Sequence, residues 1–416
     1  MNQFAQSALF KLLAHDVMAA RILPQGKISI EMLRSLIESE IAEGQTIEFK
    51  RLIDITDANR KKKLSAEIAS FANASGGDIV FGIDEKEGKA SKLIPLAGFD
   101  PDKTELQLRQ IFDSNIEPPV PGLHFCPVEI RRDKFALVLR IPRSWARPHA
   151  LLGEFPQFMV RDGNRRRAFT LRELREAFGL SASIAERMKQ FRADRIRSLV
   201  NDETPVRLSS RTLFVLHVMP QSAFDTPQSV DLSFLMRNNA LIWPMHDTGF
   251  SKKLNFDGVL SYFPGDAIQT KPVRSYVQVF RDGCVEAVTT EIFHDDGVEH
   301  FPKVIFHSYE EVVQKALRYH LSLLQELKID PPIFVSLAFI CAKDYSLLFQ
   351  GQFGLEKCSS PIGRDVLIIP ETPIYEYSSN YYDALKEPFD RVWQTCGQLG
   401  SINYKEGKWF GGPRPL

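Results

Sequence analysis

Cysteine is scarce and scattered. Cys126, Cys284, Cys341, Cys358 and Cys396 stand far apart in 416 residues, and no Cys-x-x-Cys pair occurs. That excludes a disulfide framework and a zinc knuckle, and incidental thiols fit a reducing cytoplasm. Long apolar runs are missing as well: nothing approaches the roughly 20 residues that span a bilayer, so no membrane partner is expected. The N-terminal stretch is broken by Lys11, Asp16 and Arg21, so no signal peptide is expected. An excess of one charge is also absent: 52 Lys+Arg balance 52 Asp+Glu. There is no internal repeat, no low-complexity tract and no Gly-x4-Gly-Lys-Ser/Thr phosphate loop.

What is present is local. Residues 131–200 hold 17 Lys+Arg against 7 Asp+Glu, residues 41–200 sum to +6 and residues 201–416 to −6. A basic half beside a mildly acidic one suits an anionic partner for the basic part. Apolar spacing predicts helices over 4–21 and 29–40 and a strand over 46–50. A helix from the Asp57 cap to Gly76-Gly77 follows, then a buried strand at 78–84. Residues 102–114 read as a helix with Asp102 and Glu105 as a capping box. A hairpin turns at Arg131-Arg132-Asp133, a strand and turn occupy 157–164, and a capping box at Thr170–Glu173 opens a short helix ending at Gly179. The second half has α+β texture. Its marks are a hairpin at Asp282-Gly283, a helix over 308–327 opened by Ser308 and Glu311, buried strands at 333–342 and 365–370, and a last helix from Pro388. The organisation expected is an N-terminal helical segment (1–40), a basic domain (41–182), an Arg-rich helical linker (183–203) and an α+β C-terminal domain (204–416).

One stretch raises a chemical question. In "EGQTIEFK" (43–50) Glu48 sits inside a short apolar strand and Glu43 just ahead of it. On a strand Thr46, Glu48 and Lys50 share one face, and Ile47 and Phe49 take the other. Asp84 ends "DIVFGID", where Gly82 leaves room. If the two strands are neighbours, three carboxylates meet at one strand end, and a divalent ion or Lys50 relieves their repulsion. Oxygen-only ligands favour Mg²⁺ or Mn²⁺. The bland alternative is a solvated strand face.

"EGQTIEFK", "EIASFANASGGDIVFGID" and "FMVRDGNRRRAFTLREL", in that order, resemble the Schlafen/AlbA-type domain family over residues 40–180. The resemblance implies a mixed sheet with flanking helices, followed here by a second α+β domain. It further implies a metal-dependent three-carboxylate endoribonuclease acting on structured RNA such as tRNA. Glu43, Glu48 and Asp84 would be both catalytic and metal-holding, and Lys50 would neutralise a phosphate oxygen. A cytoplasmic, antiviral-defence or stress role and a possible homodimer follow from the same analogy, with a protein trigger bound by residues 204–416. The alternative is a non-catalytic DNA- or RNA-binding regulator, ATP-responsive in one version.

The basic runs give candidate phosphate contacts: Arg60, Lys61, Lys62 and Lys63 at the start of one helix, Arg161, Arg165, Arg166 and Arg167 around the 161–167 turn, and Arg131, Arg132, Arg143 and Arg147 between them. Phe71, Asn73 and Gly76-Gly77 read as architecture. "HDDGVEH" (294–300) reads as a polar loop, and Trp243, Trp393 and Trp409 as core or surface anchors.

Overall fold

A computed structural model describes residues 22–24, 28–225, 229–237, 241–246, 249–263, 272–295, 303–351, 354–377 and 380–410. The helix expected at 4–21 and most of "HDDGVEH" lie outside them. The class is α+β, and the chain divides into two units, residues 1–182 and 183–416.

In the first unit the elements run α1 (Ile30–Glu38), β1 (Ile47–Lys50), α2 (Ala58–Asn73), β2 (Gly77–Phe81), β3 (Ile83–Lys86), β4 (Lys89–Leu93), α3 (Pro101–Asn115), β5 (Ile116–Glu117), β6 (His124–Arg131), β7 (Lys134–Ile141), β8 (Ala150–Leu151), β9 (Gln157–Asp162) and β10 (Arg165–Ala168). The long helix α4 (Leu171–Val200) contains the division between units. The main sheet has order β1-β2-β7-β6, with β1 parallel to β2 and the other pairs antiparallel. A second sheet runs β10-β9-β8-β5, and β3 pairs with β4.

Strand alternation fills both faces of the main sheet. Ile47, Phe49, Val80 and Val138 pack toward Leu33 and Leu36 of α1. Ile79, Phe81, Leu137 and Leu139 pack with Leu64, Ile68 and Phe71 of α2. A sheet covered on both sides leaves little room for charge, so any acid on the α2-facing side of β1 has to be paired.

Helix α2 starts where expected: the Asp57 side chain accepts the Arg60 N–H at 2.9 Å. It ends at Asn73, just ahead of the expected Gly76-Gly77 stop, and the chain needs glycine where it enters β2 for a steric reason. Gly77 has φ +153, and a Cβ there would lie 2.6 Å from both the Phe71 ring and the Thr46 carbonyl oxygen. Asn73 works at longer range than a local turn. It donates to the carbonyls of His149 (2.9 Å) and Met159 (2.8 Å) and accepts from the His149 N–H. The helix end is thereby bound to β8 and β9.

Two expected helix boundaries shift. The cap of α3 is Asp100, accepting from the Lys103 N–H, with Pro101 in the first turn; Asp102 therefore sits inside the helix, where its charge suits the N-terminal dipole. The Thr170–Glu173 capping box is present, but Gly179 does not end the helix. A C-terminal glycine acts by taking a left-handed φ, and Gly179 does not. The apolar spacing instead runs on through Ile184, Met188, Ile196 and Leu199, all buried.

The second unit is built on a seven-stranded antiparallel sheet. Its strands are β11 (Leu213–Pro220), β12 (Ser251–Leu254), β13 (Gly258–Phe263), β14 (Ser275–Phe280) and β15 (Val285–Thr289), then, after β16 (Phe293–His294) and β17 (Val304–Phe306), β18 (Ile333–Ile340). After β19 (Ser346–Gly351) and β20 (Gly354–Lys357), β21 (Val366–Ile374) completes the sheet, whose order is β12-β13-β14-β15-β11-β18-β21. Short helices α5 (Ser222–Asp225) and α6 (Leu232–Arg237) follow β11. Helix α7 (Tyr309–Glu326), with α8 (Tyr381–Ala384) and α9 (Lys386–Thr395), helps to close one core. Ser308 precedes α7 without a side-chain cap bond. Ile196 and Leu199 of α4 pack on the other face. There Arg195 donates two bonds to the buried Glu286, which also meets His217 and the Tyr276 hydroxyl. Among the described residues no helix is long and apolar enough to cross a membrane.

Candidate nucleic-acid interface

β1 is an edge strand of the main sheet, so its outer N–H groups need partners. Glu43 supplies one: its Oε1 accepts the Phe49 N–H at 3.0 Å. The Glu43 N–H in turn bonds the Gly88 carbonyl, and Ala42 bridges to Lys89, seating this segment on the β3–β4 hairpin.

Glu48 and Lys50 lie on the α2-facing side of β1, opposite Ile79 and Phe81 in register. The surroundings are apolar, and the charges neutralise one another. Lys50 Nζ lies 2.6 Å from Glu48 Oε1 and 3.2 Å from Glu67 Oε2. Arg161 of β9 donates to Glu48 Oε2 at 2.6 Å and to the carbonyls of Gly44 (2.8 Å) and Ile47 (3.3 Å). Its guanidinium stacks 4.1 Å above the Phe71 ring.

The protonation states follow. Burial pushes the Glu48 carboxyl up, but the Lys50 charge and the bonds from Lys50 and Arg161 outweigh it and hold the group below its usual range. Burial acts to lower Lys50, yet the charges of Glu67 and Glu48 raise it, so it stays cationic. Glu43 is raised, first by burial and then by Glu48 and Glu85, against the opposing Phe49 N–H.

The expected three-carboxylate centre does not assemble as one ligand set. Both Glu48 oxygens are held by cations. Asp84 follows the Gly82 break, where φ is +97, and sits at a register shift in the β3–β4 ladder. Its ion-pair partner is Arg51, at 3.9 Å. The acid of β3 that acts on Glu43 is Glu85. Among the described residues no group of three His, Cys, Asp or Glu side chains is arranged to hold a metal ion. The donor set does not fit Mg²⁺ or Mn²⁺ as expected, because an internal ammonium and guanidinium already meet its central carboxylate.

Beside this cluster lies a pocket of about 570 Å³ between the end of β1 and the first turns of α2. Lys50, Arg51, Arg60 and Lys63 line it together with Asp54, Asp57 and Glu67. The two basic runs meet at its rim: Arg166 of β10 donates to the Lys63 carbonyl at 3.2 Å. Lys61 and Lys62 are half-buried, whereas Lys63, Arg165, Arg131 and Arg132 are exposed.

The other candidate cations are paired, buried or remote from the pocket. Arg60 pairs with Asp54 and Asp57. Arg167 is forked onto Glu173 and also bound to Asp162. Arg161 and Arg147 are buried, and Arg143 is half-buried. Arg131 and Arg132 cap the β6–β7 hairpin at the far edge of the main sheet, away from β1.

Sequence reasoning missed Glu67 and Glu85. Glu67 had a readable signal: it falls at i+3 from Leu64 and i−4 from Phe71, an acid inside the apolar stripe of α2. The Glu85 signal was hidden, because a bulge cannot be seen in strand alternation.

Residues 43–170 match the family model described as Schlafen, AlbA_2, and so form a domain of that family. The match supports a nucleic-acid-related function. The DIP2311 protein from Corynebacterium diphtheriae is 21% identical, with a TM-score of 0.23, over 33% of this chain and 26% of its own. The N-terminal domain of a protein described as ATP-dependent DNA helicase RecG-related, from Nitrosomonas europaea, is 21% identical, with a TM-score of 0.25, over 31% of this chain and 84% of its own. The chain thus spans about a quarter of the first of these structures. No curated protein matches it.

Proposed function

We propose, taking residues 43–170 as a Schlafen, AlbA_2 domain, that this domain grips the phosphate backbone of structured RNA, tRNA being the expected substrate class. The observation that carries the reading is the Arg166 bond to the Lys63 carbonyl, which joins two basic runs around a pocket floored by Lys50. Lys50 stays charged because Glu48 and Glu67 flank it. Lys63, Arg165 and Arg166 then add phosphate contacts that carry no sequence information. Folded RNA presents phosphates and 2′-hydroxyls on its accessible groove, which suits shape reading.

A second reading, endonucleolytic cleavage, is favoured by Glu43. A half-buried carboxyl raised by burial holds its proton more readily than an exposed one and can serve in proton transfer, and Lys50 would offset charge developing on phosphate. The test separates the two. Purified protein is mixed with total tRNA, with Mg²⁺, with Mn²⁺ or with a chelator, and both retention on a gel and cutting are scored. Backbone gripping predicts retention that Lys63→Ala with Arg166→Ala weakens about tenfold or more, on the scale of two lost phosphate contacts. Cleavage predicts fragments that Glu43→Gln abolishes while retention persists. Absence of retention in every condition rejects the first reading; intact tRNA throughout rejects the second.

A further inference from the structure

The second unit contains a cavity that the RNA-binding reading does not use. Its volume is about 320 Å³, at the lower end of the range for small-molecule sites. One side is the segment Trp243–His246. Ile242 and Met245 are anchored in the core, which leaves Trp243 half-buried and His246 exposed, with a left-handed φ of +65. Phe250 steadies Trp243 edge-on at 4.8 Å. The other side is one face of α7: Val312, Lys315, Ala316 and Tyr319, spaced i, i+3, i+4, i+7. The opposite face of α7 faces the core through Val313, Leu317, Leu321 and Leu324.

The chemistry of the lining is one-sided. Two aromatic rings and four apolar side chains make the walls, and the ionisable groups are Lys315 and His246, with no acid. Among the described residues Lys315 has no ion pair. The charges acting on His246 are Glu291, Lys315 and Arg274, and Glu291 is itself paired with Arg274 at 3.3 Å. The cavity therefore offers flat apolar surface for stacking and an uncompensated cation at its rim.

We propose that this cavity binds a free, planar, anionic small molecule of the nucleoside-monophosphate class, its base against Trp243 and Tyr319 and its phosphate on Lys315. The probe is adenosine 5′-monophosphate, titrated into the full chain by calorimetry. Adenosine, inorganic phosphate and a short RNA oligonucleotide serve as separate arms. The expected result is saturable one-to-one binding that exceeds adenosine or phosphate by roughly tenfold or more, as when stacking and a charge contact act together. Trp243→Ala and Lys315→Met each weaken it about tenfold, and Lys63→Ala in the first unit leaves it unchanged. Because Lys315 is exposed, its variant tests the site without a folding penalty. No binding of the monophosphate, equal binding in both cavity variants, or binding of the oligonucleotide alone would overturn the proposal.

Discussion

Arg161 carries three tasks at once: it neutralises Glu48, holds the carbonyls of Gly44 and Ile47, and stacks on Phe71. Its side chain is 1% exposed, so removing it deprives Glu48 Oε2 and the Gly44 and Ile47 carbonyls of their donor and leaves Lys50 as the remaining cation on Glu48. Breaking such a buried pair from one side costs about 3–5 kcal/mol. Arg161→Ala should lower the denaturation midpoint by that equivalent, and Arg161→Lys should recover only part of it, since an ammonium cannot reproduce the fork. An unchanged midpoint in both variants would contradict the assigned role. Glu310 makes a second test at this scale. Burial lifts its carboxyl to about 7, against bonds from Ser401, Asn403 and Trp393. An acid raised on folding favours the protonated folded state, so its contribution is fullest near and below pH 4.5 and declines as pH rises through 7. The loss is on the order of 3 kcal/mol by pH 8. Melting temperature should fall from pH 5 to 8, and Glu310→Gln should flatten that slope; parallel slopes would refute it.

At the scale of elements, glycines show why a motif is not a contact map. Gly77 is confined both by its φ and by the Phe71 ring and Thr46 carbonyl against it; Gly163, at φ +61, faces open space. Gly77→Ala should therefore destabilise the protein by more than Gly163→Ala, whose cost is set by backbone strain alone at about 1–2 kcal/mol. Equal losses in thermal denaturation would show that the steric contact is not limiting. The strand and helix positions around "EGQTIEFK" and "FANASGG" were legible because alternation, an Asp cap and a glycine stop are local signals. The run of α4 through Gly179 was not, because a glycine ends a helix only when it adopts a left-handed conformation. Asp100 displaced Asp102 as the cap of α3 for a related reason: Pro101 already favours the first helical turn.

Across the whole molecule the charges cancel, 52 against 52, so nucleic-acid affinity has to arise from a local patch. If Lys63, Arg165 and Arg166 contact phosphates, each removed cation should reduce the slope of log affinity against log salt by about 0.7–0.9. Arg131→Ala, at the opposite edge of the main sheet, should leave the slope unchanged. A gel-shift series at several salt concentrations checks both; a slope that shifts equally with Arg131→Ala would move the interface to the hairpin tip. Each unit has its own cores, so variants in the cavity beside α7 should leave this salt slope intact.

Local chemistry determined much of the protein. Period-two and period-3.6 patterns placed the strands and helices of both halves, and ordered motifs marked a domain over residues 40–180, within which residues 43–170 match the family model. Only tertiary structure decided which charges meet. Glu48 found Lys50 on its own strand and Arg161 on a distant hairpin, and Lys50 in turn met Glu67 of a helix. Asp84 turned to Arg51 because a positive-φ glycine and a register shift redirected its strand. Sequence fixes the period of a side chain along its own element, but a charge pair is settled by the approach of separate elements through an apolar layer, where an unpaired ion is too costly to keep.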